Sequence, residues 1–414
     1  MDLPGEMWLD ILLHLPVKSL LQLKSVCKSW CALIDSPQFK AIYLSRAKNY
    51  ALLLKRPPLK NTNRSASYYI HSNLEPVRDA TKPDLQHMPF SRHANFFGDT
   101  VMLICDCNGL IFLEDDNGMY LLNPALQEVR ILPPLPRSSF IGCYLGLGYD
   151  SNANDYKVVI LGENQTAQMA NVYSLNSDSW REIVAQFPTC VLDERIFPVY
   201  FNGCMHWSAC TVEFDPTSPR VARRRRRVVL FSFDMSTEVV KEIALPDSFR
   251  GENIRPPRLG VLRESLALIY RRYVGLEDRI DVWVMKEYGV KETWTKMYSI
   301  GPGFDNVFCL CFWKDELLLQ RCVGGQLILT LISLAAGHKF RTFDGYGEYD
   351  DSVVAIVYKE SWISVKRSSP KWAAPVMIFG LFGRQSLNLL YMVGVGPPEG
   401  VIDIMLFDSR LQGQ

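Results

Sequence analysis

The sequence predicts a small all-α unit of three helices followed by an all-β, propeller-like region of roughly six blades. Three observations predict it. Residues 2–39 carry apolar side chains at helical spacing, punctuated by prolines. From about residue 51 to 366 the chain is a succession of short apolar or alternating runs broken by Gly, Pro, Asn and Asp, with no long 3.6-residue period. Within that region one strand–turn–strand phrase recurs about every 48 to 58 residues.

The helices come first. Asp2 is placed to cap a helix that Pro4 opens, because proline fits a first turn where its missing N–H is not needed. Trp8, Ile11, Leu12 and Leu15 fall at i, i+3, i+4 and i+7, one helical face. Pro16 stops that helix, since the residue before a proline is pushed out of the α region. Leu20, Leu21, Leu23 and Lys24 carry a second short helix. Val26, Cys27, Trp30, Leu33 and Ile34 make a third stripe, ended by Ser36 and Pro37, and residues 40–50 read as a helical exit. Roughly forty residues cannot bury a self-sufficient core. The surplus apolar surface must dock elsewhere, as a partner-binding element would.

The spacing of Leu3-Pro4, Glu6, Ile11-Leu12, Leu15-Pro16-Val17, Leu20-Leu21, Val26-Cys27-Lys28, Trp30, Leu33-Ile34, Pro37 and Phe39 resembles the F-box, in the version found in large plant families. The resemblance implies docking on a Skp-type adaptor and, through it, a cullin. It places Leu3, Pro4, Ile11, Leu12, Leu15, Pro16, Leu20, Leu21, Val26 and Trp30 in the F-box core or on the adaptor face, without dividing them.

The recurring β phrases are YLLNPALQEVRIL around Asn123, VYSLNSDSWREI around Asn176, LFSFDMSTEVVKEI around Asp234, DVWVMKEYGVKETWTKM around Met285 and LTLISLAAGHKFRTF around Ser333. Their period is that of kelch-type blades, and Asn, Asp, Ser or Gly near each turn suits a hairpin. Segments near 51–55 and 355–365 are the candidates for closing the ring. The phrases Leu122-Asn123-Pro124, Gly148-Tyr149-Asp150, Asn154-Asp155-Tyr156-Lys157-Val158-Val159, His206-Trp207 and Trp283-Val284-Met285 resemble the F-box-associated domain of plant proteins, including the S-locus F-box group. That resemblance implies a β-propeller-like substrate-binding domain. The expected layout is 1–48 for the adaptor-binding F-box, 49–366 for the propeller-like domain and 367–414 for an atypical tail. The tail is apolar enough for strands but is not assigned to a blade; disorder, an added hairpin and an atypical gene model all stay open.

Composition narrows the functional classes. The 45 basic and 44 acidic residues leave a net charge of +1, so no global field draws the chain to nucleic acid or an anionic membrane, and neither is expected as a partner. The first residues lack a secretory pattern and no run approaches eighteen apolar residues, so a cytosolic or nuclear setting is expected. Eleven cysteines, an odd number, read as reduced thiols. Cys105 with Cys107, and Cys309 with Cys311, would each share one strand face, but a zinc site needs further ligands and no histidine lies beside either pair. No cofactor or metal is expected. His206 beside Trp207 reads as a packing or hydrogen-bonding residue. Hydrolase-elbow, phosphate-loop and HExxH motifs are absent from the sequence. Five arginines at 223–227 read as a solvated loop between strands, with nuclear import or contact with an acidic substrate as the sharper readings.

The resulting expectation is a non-catalytic substrate receptor of a cullin–RING ubiquitin ligase, with a protein substrate held on the propeller. A ligase-independent scaffold and, less simply, a propeller enzyme are the alternatives.

Overall fold

In the computed structural model of the chain, the described residues are 5–46, 50–56, 67–71, 86–87, 102–115, 117–136, 141–163, 167–188, 190–191, 197–214, 224–249, 256–274, 277–301, 307–324, 326–336, 340–348, 353–366, 377–379, 389–394 and 404–408. They fall into two compact units, Met1–Val365 and Lys366–Gln414.

The first unit begins with four helices: α1 (Gly5–Leu13), α2 (Val17–Leu23), α3 (Lys28–Asp35) and α4 (Pro37–Arg46). The expected cap at Asp2 and the first-turn Pro4 lie outside the described residues. The third stripe starts later than its spacing suggests. Cys27 is the N-cap of α3, its Sγ accepting the Trp30 amide at 3.4 Å, and this leaves Val26 in the preceding turn. Ser36, extended before Pro37, ends α3 as expected, and Pro37 also opens α4, where Ser36 Oγ accepts the Phe39 amide at 3.1 Å. The helical exit is therefore a fourth helix packed on the other three.

Among the described residues the β region forms antiparallel sheets, five of four strands and one of five. Blade 1 combines Val354–Lys359 with Tyr50–Arg56, Ser67–His71 and Gln86–His87. Blade 2 runs through Met102–Cys107, Leu110–Asp115, Gly118–Asn123 and Glu128–Ile131. Blade 3 runs through Ile141–Asp150, Asp155–Glu163, Gln168–Ser174 and Ser179–Val184. Blade 4 has a split first strand, Cys190–Val191 and Val199–Phe201, then Cys204–Phe214, Arg224–Asp234 and Val240–Ile243. Blade 5 comprises Arg258–Leu262, Ser265–Val274, Glu277–Met285 and Trp294–Ile300. Blade 6 comprises Val307–Trp313, Glu316–Val323, Gln326–Ser333 and Phe340–Glu348. The innermost strands touch one another in order around the ring, and the first strand of blade 6 meets Val354–Lys359 of blade 1. The apolar core lies between blades, one cluster per cleft or shared by adjacent clefts.

The repeat anchors have a common structural meaning. Asn123, Asp234, Met285 and Ser333 end the third strand of blades 2, 4, 5 and 6, and Asn176 follows that of blade 3. Closure follows the expected pairing, with Leu52 opposite Val357 and Leu54 opposite Ala355. Joining the two ends of the β region in one sheet removes two strand edges that would otherwise remain unpaired.

Two readings need correction. The arginine run is not a loop over its described length. Residues 224–227 begin the third strand of blade 4, with Arg224 opposite Phe214 and Arg227 opposite Thr211; Arg223 lies outside the described residues. Mutual repulsion forbids burying such a run, but a hairpin end projecting from a blade needs no burial. The second correction concerns Cys309 and Cys311. A bulge between them shifts the register, so Cys309 packs in the blade 5–6 cluster and Cys311 in the blade 6–1 cluster. Cys105 and Cys107 stay together in one cluster.

Among the described residues the second unit holds a three-stranded antiparallel sheet, Met377–Phe379, Leu389–Gly394 and Ile404–Asp408. No helix among the described residues is long and apolar enough to cross a membrane.

Candidate functional site

The helical unit faces two ways. Leu12, Leu13, Val17, Leu20, Ile34, Phe39 and Tyr43 are buried in one cluster that continues into the propeller through Ala125, Leu126 and Trp362. Polar contacts fix this junction. The Tyr43 ring meets Trp362 edge-on at 6.3 Å, and its hydroxyl donates to the Leu15 carbonyl at 2.9 Å. Helix α2 starts after Pro16, which supplies no side-chain cap. Instead the Glu360 carboxylate, from the segment after the closing strand, accepts the Val17 amide at 3.1 Å. An acidic group at a helix N-terminus satisfies an orphan donor and opposes the helix dipole. Burial raises the Glu360 carboxyl above its usual range, and the Val17 bond works against that rise. The Lys359 ammonium donates to the Leu44 carbonyl.

Blade 2 presents the receiving surface. Asn123 is fully buried. Its Oδ1 accepts the Ala125 and Leu126 amides at 2.9 and 3.2 Å, which shapes the turn that touches the helices. Its Nδ2 donates to the Ser361 and Ile363 carbonyls at 3.1 and 2.8 Å. Asn108 and Gly109, both at positive φ, turn tightly beside this segment. A side chain at position 109 would collide with the Lys359 carbonyl and Ser361, so only glycine fits.

Other apolar side chains of the helical unit are exposed. Met7, Ile11, Leu21 and Val26 are 50%, 44%, 38% and 63% exposed, four of the ten exposed large apolar side chains among the described residues. The other six are scattered from Tyr50 to Met297, so the concentration within positions 7–26 marks a surface. The structure thus divides the ten candidates. Ile11, Leu21, Val26 and Pro16 are exposed, Leu12 and Leu20 are buried, and Leu15 and Trp30 are half-buried. Trp30 packs on Trp8 with ring centroids 5.2 Å apart. Leu3 and Pro4 lie outside the described residues. The single-face reading of α1 fails at Ile11, which turns to solvent while Leu12 enters the core. Met7 was missed, although it lies one turn before Ile11 at i, i+4.

Comparison with known proteins agrees with this division of the chain. Residues 1–42 match the F-box domain model, and residues 62–330 match the F-box associated beta propeller domain model. The chain belongs to the F-box-associated β-propeller family. The F-box/kelch-repeat protein At3g23880 of Arabidopsis thaliana is 29% identical over 350 residues, covering 78% of this chain and 89% of that protein. The F-box protein CPR1 of the same plant is 28% identical, covering 72% and 73%. The F-box protein At3g07870 is 28% identical, covering 81% of each.

The phrases of the F-box-associated domain act as fasteners between blades. In blade 3, Lys157 is nearly buried and its ammonium meets Asp150 at 2.6 Å, Glu238 of blade 4 at 2.8 Å and the Met235 carbonyl at 3.0 Å. Despite burial, which acts the other way, the hydrogen bonds from Lys157 and Ser236 hold the Asp150 carboxyl down at about 2. Trp207 of blade 4 donates to the Leu145 carbonyl of blade 3 at 2.9 Å. Two outer-strand tryptophans repeat the device: Trp180 donates to the Pro133 carbonyl at 2.7 Å and Trp294 to the Ala244 carbonyl at 3.0 Å. His206 is fully buried between blades 4 and 5, with Nε2 2.8 Å from the Tyr288 hydroxyl and Nδ1 3.2 Å from the Val199 carbonyl. Burial pushes its pKa down to about 4, so it is neutral at physiological pH. Burial pushes the thiols of Cys309 and Cys311 up to about 12. Among the described residues, no three His, Cys, Asp or Glu side chains are grouped to hold a metal.

Proposed function

We propose that this chain is the substrate-recognition subunit of a cullin–RING ubiquitin ligase in the cytosol or nucleus. The F-box docks a Skp-type adaptor through Met7, Ile11, Leu21, Val26 and the neighbouring Pro16 and Trp30, and the propeller holds a protein substrate. The observation that carries this reading is the concentration of exposed apolar side chains on a matched F-box whose other side is buried against the propeller. The chain itself makes and breaks no bond in this scheme. It raises the effective concentration of substrate at the ligase, and the junction through Tyr43, Trp362, Glu360 and Asn123 keeps the two at a set distance.

The test is co-purification of the full chain with a Skp-type adaptor and a cullin, followed by proximity labelling with and without proteasome inhibition. Failure to capture the adaptor overturns the receptor reading. Capture of the adaptor without any labelled neighbour that accumulates on inhibition favours the ligase-independent scaffold.

A further inference from the structure

The F-box sits against one face of the propeller. The residues it touches, Ala125, Leu126, Lys359, Glu360 and Trp362, lie in a third-to-fourth-strand turn or at the end of the closing inner strand. Inner strands run side by side around the ring, so their last residues share that face and their first residues share the other. Arg258 and Val307, the first residues of the inner strands of blades 5 and 6, therefore lie at the rim away from the F-box.

Three arginines meet there. Arg271 donates to the Val307 carbonyl at 3.1 Å, Arg321 is the register partner of Val307, and Arg258 begins the adjacent inner strand. Arg258 differs from the other two. Its guanidinium stacks 4.2 Å over the Phe197 ring, and among the described residues it has no carboxylate or hydrogen-bond partner. It retains some exposed surface, yet protein surrounds it closely enough that burial lowers its pKa to about 10. A desolvated cation without a counter-charge is unfavourable in the fold itself. Stacking offsets part of that cost and holds the planar fork in one orientation, with its in-plane donors available for a carboxylate. The third strand of blade 4 begins at the same rim with residues 224–227, of which Arg227 pairs with Glu242. Acidic residues share the rim at other hairpin ends, Glu277 and Asp278 on blade 5 and Glu114 and Asp115 on blade 2, so what singles out Arg258 is its stacked, desolvated guanidinium and not the sign of charge around it.

We infer that the substrate is held at this rim, and that its anchor is an Asp or Glu side chain of an acidic segment, with the carboxylate on Arg258 at the start of the blade 5 inner strand. The inference rests on the receptor reading and names the class of substrate it takes.

The test uses the purified full chain, alone and with a Skp-type adaptor, and fluorescence anisotropy of three labelled peptides of equal length: hexaglutamate, a neutral Gly/Ser peptide and a phosphoserine peptide. Hexaglutamate is expected to bind about tenfold or more tightly than the neutral peptide, and less tightly as salt rises. Arg258→Gln is expected to weaken hexaglutamate binding about tenfold or more, with Arg258→Lys between. Arg263→Gln is the control: it removes the same charge from a turn on the F-box side, where Arg263 pairs with Asp315, and should change nothing. If Arg258→Gln does not fold, Phe197→Leu removes the stacking surface without changing charge and should weaken binding severalfold. Equal binding of acidic and neutral peptides, binding of the phosphopeptide alone, or equal losses in Arg258→Gln and Arg263→Gln would overturn the inference. Adaptor capture reports separately: its loss with acidic-peptide binding intact sinks the receptor reading and leaves the anion site standing.

Discussion

Leu20 and Leu21 are neighbours on α2 with opposite surroundings, and that contrast makes the sharpest test of the docking surface. Leu20 is fully buried beside Leu12, Val17, Ile34 and Tyr43, whereas Leu21 is 38% exposed. Leu20→Asp removes a packed side chain and places an unpaired carboxylate in its cavity, a loss of about 3–5 kcal/mol or more. That is a large fraction of the roughly 5–15 kcal/mol that holds a domain together. Leu21→Asp leaves the core untouched, and its cost to the fold is about 0.5 kcal/mol in helix propensity. At an adaptor interface the same change forfeits about 1–2 kcal/mol of apolar burial and adds the desolvation of a charge. Affinity should therefore fall by about a hundredfold. Titration calorimetry against a purified Skp-type adaptor, with urea denaturation followed by circular dichroism, separates the two effects. Leu21→Asp should unfold like the parent and bind poorly; Leu20→Asp should unfold earlier. The reasoning is wrong if Leu21→Asp binds within about twofold of the parent under conditions where the adaptor binds another F-box protein.

Three further outcomes follow from the packing. His206 has a folded pKa of about 4 against 6.5 for an unperturbed imidazole, so the unfolded chain takes up its proton first as pH falls. Stability present above pH 6.5 is lost between there and pH 4, by about 3 kcal/mol at most, and a folded His206→Gln variant should lack this component in urea melts across that range. Asn123→Ala strands the carbonyls of Ser361 and Ile363 and should cost about 2–4 kcal/mol; hydrogen exchange should rise at 360–365 and at Val17, and unchanged exchange there would show that Asn123 does not hold the junction. Ending the chain after Asp344 removes the strand that pairs with Tyr50–Arg56 and should give insoluble protein, whereas ending it after Lys366 should leave a soluble fold by size-exclusion chromatography. Insolubility of the longer product would mean that the tail contributes to the sheet.

Periodicity carried much of the architecture. Helical spacing in the first 39 residues and the recurring turn anchors are local properties, set by which side chains must point the same way within one element. Asn123, Asp234 and Ser333 are legible because a turn's backbone demands are met by residues a few positions away. The segment 1–48 is legible as too small for a core of its own, but not what completes it: its core borrows Ala125, Leu126 and Trp362 from distant sequence. The bulge that separates Cys309 from Cys311 was hidden for a related reason, since parity along a strand holds only while the register does.

What the chain determined by itself was the kind of element at each place and the motif that marks the F-box, because both depend on neighbours along the backbone. Which apolar residues remain exposed was decided only by the tertiary structure. Leu12 and Ile11, or Leu20 and Leu21, are alike in composition and adjacent in sequence, and only the surfaces of α4 and the propeller select which of each pair is covered. The same holds for Arg258. Nothing in its sequence context distinguishes it from the other arginines; its stacking on Phe197 without a counter-charge arises because the ring sets the start of blade 4 beside the inner strand of blade 5. Burial and charge pairing are properties of what folds against a residue, and one-dimensional spacing does not contain that partner.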